Sequence, residues 1–360
     1  MEQWYWYQPL TEGRVRMLRV FGRESQVVLP QKIASGMVAE IGDYCFSEKE
    51  PRGDYGICSE MAEFHWDSGG AGIHGGQGAL LGIGDAKSRE RESLRNQAFA
   101  RMCQREGLHP LAGKNVAGVE LPDSVTKIGN LAFYQCGELE RIVLGMGEME
   151  VGSDAFMNCR RLSSFYFRGS PGQVSCLKQI LAQRSGETAV YFTEGEQIQA
   201  ALLYPEYFEG YDLIGPAHIF QLNIQGEGFR ARQCFQKGAV DFGAYDRIFS
   251  MEWGEESVHT LCRMACFRLQ YPWCLQEREQ NMYQVYVSEN IDPACAMLVK
   301  ERNLAGIQAL YDLGLLKPDS LQGCLERAVS GNWTEGVRHM LSMEEGEKRG
   351  GTGDYVFEDF

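Results

Sequence analysis

Between residues 119 and 167 the apolar positions recur with a fixed step. Ile128, Gly129, Ala132, Phe133, Cys136, Leu139, Ile142 and Leu144 map onto Val151, Gly152, Ala155, Phe156, Cys159, Leu162, Phe165 and Phe167, each pair 23 positions apart. Leu139-x-x-Ile142-x-Leu144 alternates in the way of a short strand with one face inward. Ala132-Phe133-x-x-Cys136 suits a helical turn aimed at the same interior, and the Gly after Ile128 or Val151 suits a tight bend. One such turn cannot bury its inner face alone, whereas stacked turns can.

A third copy lies upstream. Val27–Pro30 and Val38–Phe46 follow the same order, with Ile41-Gly42 offset by 87 positions from Ile128-Gly129. Before it, Trp4–Tyr7 and Arg14–Val20 read as two strands joined by Thr11-Glu12-Gly13, a hairpin able to cap the open end of a stack.

These residues resemble the BspA-like leucine-rich repeat, whose recurring core runs Leu-Pro-x-Ser-Val-x-x-Ile-Gly-x-x-Ala-Phe-x-x-Cys-x-x-Leu-x-x-Ile. Residues 119–144 match it nearly position by position. Residues 145–167 match its second half without the Leu-Pro, and 14–46 match the usual first turn. The resemblance spans residues 5–47 and 114–192. It implies a short solenoid of ~23-residue turns, and a protein that acts by binding. Members of the family are mostly surface or secreted binding proteins.

The rest of the chain has a different pattern. Residues 47–113 interrupt the stack. Within them, 69–84 hold eight glycines in sixteen positions, a composition expected to stay flexible. A helix-prone run, Lys87–Glu106, follows, with Leu94, Ala98, Phe99, Met102 and Cys103 on one side. Residues 174–184 read as a helix and 188–192 as a strand, together closing the far end of the stack. Residues 196–254 are mixed, interrupted by Pro205, Pro216 and several glycines. From about Glu255 the period is helical. Val299–Leu310 is echoed by Ala328–Met340 at a shift of 29 or 30 positions, the pattern of weakly ankyrin-like helical hairpins over 292–343.

The expected architecture is therefore α+β. A leucine-rich-repeat domain occupies 1–195, with an N-terminal cap hairpin and a Gly-rich insertion at 47–113. An acidic, mainly α-helical, helical-hairpin-repeat domain occupies 196–343, and 344–360 form a flexible tail.

Charge supports that boundary. Residues 1–195 hold 21 Lys/Arg and 24 Asp/Glu, a net of −3; residues 196–360 hold 14 and 25, a net of −11. The total of −14 opposes nucleic-acid binding. No run approaches ~18 apolar residues, so no membrane insertion is expected. The start, Met1–Tyr7, has no basic region, apolar core or cleavage site, so no secretory signal is read. Twelve cysteines without such a signal read as reduced, buried thiols, and a cytoplasmic location is expected.

Candidate chemistry is sparse. Gly70-x-Gly72-x-x-Gly75 has the spacing of a dinucleotide loop, but the preceding His65–Gly69 is followed by more glycine rather than a helix. His259, Cys262 and Cys266 could share a helical face, with Cys274 beyond; that spacing is also an ordinary buried stripe. Cys136 and Cys159 sit at the core position of the repeat. The histidines at 65, 74, 109, 218, 259 and 339 pair with no nucleophile motif, and Glu206 and Glu209 are close as many of the 49 acidic residues are by chance.

The expectation is a non-enzyme with no cofactor and no metal. Its candidate surface is formed by Glu140, Arg141 and Val143 of one turn and Ser163, Ser164 and Tyr166 of the next, facing a protein partner. Two alternatives are an uncharacterised enzyme or metal-binding module in 196–343 and a cell-surface adhesin. Arg160, Arg161 and Arg168 form a basic patch that could meet the acidic half of the chain or an outside partner.

Overall fold

A computed structural model describes residues 3–59, 63–67, 70–74, 86–214, 219–226, 228–250 and 256–350; for 63–91, 211–223 and 344–350 only the backbone course is described. The chain divides into two compact units, Met1–Gln197 with Phe235–Val240, and Ile198–Cys234 with Asp241–Phe360. Strands and helices are both abundant, so the fold is α+β.

The first unit is built on a ladder of parallel strands: Gln26–Val28, Gly118–Glu120, Arg141–Gly145, Ser164–Arg168 and Thr188–Glu194. Val27, Val119, Ile142, Phe165 and Val190 stand opposite one another in register and are all buried. Their steps along the chain are 92, 23, 23 and 25 residues. Strand alternation puts these side chains inward and their neighbours outward.

A second set of short parallel strands closes each turn: Gly36–Ile41, Lys127–Ile128 and Glu150–Val151. After each comes the glycine seen in the sequence. A Cβ on Gly129 would stand 2.5 Å from the Asp43 backbone nitrogen, and one on Gly152 2.6 Å from that of Asn130. Close approach of consecutive turns, rather than an unusual φ, therefore demands glycine here. The left-handed region is used instead at Tyr44, Leu131 and Asp154, which occupy one position of three successive turns, and at Gln135 and Asn158. Asp43 Oδ1 accepts the Asn130 amide, and Asn130 Oδ1 accepts the Ser153 amide, both at 2.8 Å.

The interior between the two sets is a stack of repeats of the same side chain. Phe46, Phe133 and Phe156 pile face to face, at 4.8 and 5.5 Å between ring centres. The Cys136 thiol donates to the Phe46 carbonyl and the Cys159 thiol to that of Phe133, at 3.0 and 2.9 Å. Both cysteines are thus structural members of the column.

The N-terminal strands Trp4–Pro9 and Arg14–Gly22 pair antiparallel, joined through a short 3-10 turn at Thr11–Gly13, and Arg14–Gly22 pairs parallel with Gly36–Ile41. The insertion adds strands Gly56–Ser59, Glu63–Asp67 and Gly70–His74 to the free side of Trp4–Pro9. The glycine-rich stretch, expected to stay flexible, is strand over 70–74: these residues pair with 63–67, His65 opposite Gly72. Ladder hydrogen bonds supply what glycine backbone entropy works against. Gly70 and Gly72 are strand positions, and residues 75–84 lie outside the described residues. Helix α1, Ala86–Glu106, places Phe99, Met102 and Cys103 against Trp4, Phe21, Ile57 and Leu108.

At the other end, helix α2, Leu177–Leu181, buries Leu177, Ile180 and Leu181 and turns two glutamines toward the last short strand. Gln179 accepts from the Val151 amide and donates to the Met149 carbonyl. Gln183 accepts from the Ala155 amide and donates to the Gly152 carbonyl. Each amide side chain completes one donor and one acceptor of a strand edge.

The second unit begins with strand and ends with helices. Ala200–Tyr204 of the strand Gln197–Tyr204 are fully buried, and Phe208–Ile214 pairs antiparallel with Ile219–Gln225. Strands therefore fill much of the stretch whose sequence is mixed. The helices are α3 Gly228–Ala231, α4 Phe242–Phe249, α5 Val258–Gln270, α6 Glu277–Glu289, α7 Ile291–Lys300, α8 Leu304–Asp312, α9 Pro318–Ser330 and α10 Thr334–Gly350. Asp241, Ser257 and Asn303 cap α4, α5 and α8 with side-chain oxygens. Arg302 and Asn332, 30 positions apart, turn the chain in the left-handed region between α7 and α8 and between α9 and α10. Gln308 of α8 meets His339 of α10 at 2.8 Å, and the Tyr311 hydroxyl donates to the Met343 carbonyl.

Among the described residues, one ion pair is wholly buried. Arg268 of α5, 0% exposed, grips Asp246 of α4 through Nε and Nη2 at 2.7 and 2.9 Å. Its remaining donors reach the carbonyls of Tyr271 and Trp273, and the Tyr283 hydroxyl of α6 donates to Asp246. Burial opposes the guanidinium charge, and Asp246 more than offsets that, so the arginine is held above its ordinary pKa.

Candidate functional site

The alternation that buries Val119, Ile142, Phe165 and Val190 turns three rows of side chains outward. The first row is Gln26, Gly118, Arg141, Ser164 and Ala189; the second is Val28, Glu120, Val143, Tyr166 and Tyr191; the third holds Gly145, Arg168 and Thr193. The backbone of this face is fixed by the ladder, so its side chains need little further ordering to receive a ligand.

The second row is mostly apolar. Val28 is 59% exposed, and Val143, Tyr166 and Tyr191 are half-buried. Tyr166 and Tyr191 stack at 4.7 Å between ring centres and 16° between planes. Burial raises the Tyr166 phenol above its ordinary pKa, opposed by the Arg141 charge.

The first row carries a clasp. Arg141 is exposed and donates to Gln26 Oε1 at 3.3 Å, across the strand that holds Gly118. A Cβ on Gly118 would stand 2.1 Å from that same oxygen, so the glycine gives the glutamine its place. In the third row Arg168 is fully engaged, bonded to Glu120, Asp123 and the Leu121 carbonyl.

Of the six residues expected from sequence, Arg141, Val143, Ser164 and Tyr166 share this face. Glu140 and Ser163 do not. They precede their strands, where the Ser163 amide donates to the Glu140 carbonyl and Arg161 holds both Glu138 and Glu140. Gln26, Val28, Glu120, Tyr191 and Thr193 also belong to the face, as does Arg168 of the basic patch. Tyr191 lies 25 rather than 23 positions after Tyr166, so the repeat period does not point to it. Two of the three arginines of the expected basic patch are taken up locally, because Arg161 and Arg168 each answer two carboxylates of the repeat region.

His259 is exposed on α5 while Cys262 and Cys266 are buried, and no group of three or more His, Cys, Asp or Glu among the described residues is placed to hold a metal ion. Glu206 and Glu209 are both exposed. Burial pushes the thiols of Cys103, Cys234 and Cys262 up to about 11, and those of Cys45 and Cys176 up to about 12. A hydrogen bond with Cys159 and burial raise Cys136 further. Such thiols are poor nucleophiles at neutral pH.

Residues 111–180 match a family described as the BspA type Leucine rich repeat region, in 6 copies. No match was found among curated proteins or among solved structures. Among the described residues, no helix is long and apolar enough to cross a membrane.

Proposed function

Since this chain carries BspA-type leucine-rich repeats over residues 111–180, we propose that it is a non-catalytic protein–protein interaction scaffold whose docking surface is the outward face of the parallel ladder. The observation that carries this reading is the row Val28, Val143, Tyr166 and Tyr191, half-buried or exposed on a rigid sheet. Leucine-rich repeats as a class act through binding surfaces of this kind.

In this reading the ladder is a short solenoid occupying 1–195, closed by the N-terminal hairpin and by α2. The helices of 292–343 form helical hairpins that add a second, acidic module. Cytoplasmic residence is part of the proposal. It is supported by the twelve cysteines, eleven of which are buried in apolar surroundings, as suits thiols of a reducing compartment.

The test is affinity capture of partners with the full chain. Wild type and an Arg141→Glu/Tyr166→Glu double variant, matched by circular dichroism and melting temperature, are compared by quantitative mass spectrometry. Specific partners recovered by wild type alone support the reading. Identical recoveries from both baits count against it. Cell fractionation tests the location.

A further inference from the structure

The dimensions of the face limit what it holds. With strands ~4.8 Å apart, Val143, Tyr166 and Tyr191 form a row about 10 Å long, and a rise of ~3.3 Å per residue puts Arg141 about 7 Å from that row. This is the spacing of two side chains one or two residues apart on a single extended segment.

The charges on the face select the chemistry of that segment. Glu120 and Asp123 are answered by Arg168. Glu138 and Glu140 are answered by Arg161 at 2.6 and 2.5 Å. Among the described residues, Arg141 is the exposed cation of the face that meets no carboxylate; its partner is the neutral amide of Gln26. With Arg141 these seven groups sum to −1, but the four carboxylates are held by Arg161 and Arg168, so an incoming carboxylate finds its opening at the Arg141 guanidinium. Beside it runs the apolar row ending in the Tyr166–Tyr191 stack, whose Tyr166 phenol feels the Arg141 charge.

We propose that this face takes an extended peptide from a partner protein in which an aromatic or aliphatic side chain lies within two residues of an aspartate or glutamate. Arg141 receives the carboxylate, and the row of Val143, Tyr166 and Tyr191 receives the apolar side chain. This rests on the binding reading above and narrows it to one class of partner. A guanidinium–carboxylate contact is charge-assisted, worth more than a neutral hydrogen bond, and it fixes the register of a segment whose apolar contacts alone would let it slide.

The test uses a random heptapeptide display library panned on the immobilised full chain. Enriched peptides are then made with dye labels and amidated ends and titrated by fluorescence anisotropy. The expected result is enrichment of an acidic residue next to an aromatic or aliphatic one. Replacing that acid by its amide should weaken binding at least tenfold against wild type and leave binding to Arg141→Gln unchanged. Arg141→Lys should restore part of the preference, which separates charge from a folding defect. The proposal is overturned if no peptide is enriched, if the enriched peptides lack an acid, or if Arg141→Gln keeps the acid preference. Partners recovered in the capture experiment together with any of these outcomes would leave the binding reading standing and remove only this peptide class.

Discussion

Gln179 and Gln183 stand one helical turn apart and treat the last short strand as a neighbouring strand would. Each side chain takes one backbone amide and returns one hydrogen to a backbone carbonyl, over Met149–Ala155. Polar side chains thereby finish an edge that would otherwise offer its donors and acceptors to another chain. Gln179→Ala with Gln183→Ala should lower unfolding free energy by about 2 kcal/mol, near 1 kcal/mol per side chain. Thermal denaturation reads the loss, and size-exclusion chromatography reads any association through the bared edge. Unchanged stability in the double variant would show that water satisfies this edge equally well.

The Cβ test at consecutive turns gives a sharp contrast. Gly152→Ala puts a carbon 2.6 Å from the backbone of the preceding turn, whereas a Cβ on Gly137 meets nothing within 4 Å. Gly152→Ala should destabilise by roughly 1–3 kcal/mol, as overpacking in a tight site does. Gly137→Ala should stay within about 0.5 kcal/mol of wild type, the range of an ordinary surface change. Urea titration of both variants compares them directly.

Arg268 and Asp246 form the buried pair of the second unit. Removing one partner strands the other charge without solvent. Asp246→Ala should cost about 3–5 kcal/mol, enough to unfold much of that unit. Tyr283→Phe removes one donor to Asp246 while keeping the ring that packs on Phe249 at 4.5 Å. Its expected cost is about 1 kcal/mol. Denaturant unfolding curves that rank the two variants alike would argue against the ionic role of the pair.

The repeats themselves were legible because a turn must restate its core every 23 residues, and Phe133/Phe156 and Cys136/Cys159 are that restatement. The partnerships across the repeats were not. Arg168 reads as part of a basic patch until the fold brings Glu120 and Asp123 to it from 48 and 45 positions upstream. Gln179 and Gln183 read as solvated helix positions, because nothing local says that a strand edge lies beside them. Arg268 reads as one residue of an amphipathic helix, and its partner Asp246 falls in a stretch with no clear period. Periodicity records what faces inward in every turn; a contact made once leaves no period.

Thiol chemistry offers a test by pH. Burial raises Cys45 from 9.0 to about 12. A group whose folded pKa is raised stabilises fully below its unfolded pKa and loses that contribution as pH climbs through the folded value. Its share of stability should be constant to about pH 9 and fall between 9 and 12. Cys45→Ala should flatten that decline while lowering stability at neutral pH through lost packing. At neutral pH the exposed Cys274 should be labelled by maleimide first, with the eleven buried thiols following on denaturation. Early labelling of several cysteines would contradict the packed columns.

Four of the ladder's side chains, Val119, Ile142, Phe165 and Val190, follow one another at steps of 23 to 25 residues, but Val27 joins Val119 across 92. Closing a loop four times longer costs about 1.2 kcal/mol more in chain entropy. Near neighbours along the chain meet sooner than distant ones. The turns from Gly118 onward are therefore the place where assembly starts, although the ribosome makes the Val27 strand first. The hairpin of Trp4–Pro9 and Arg14–Gly22 pairs locally, but the Gln26–Val28 strand must wait for a template synthesised after it, and until it arrives that strand's edge is open to wrong pairings.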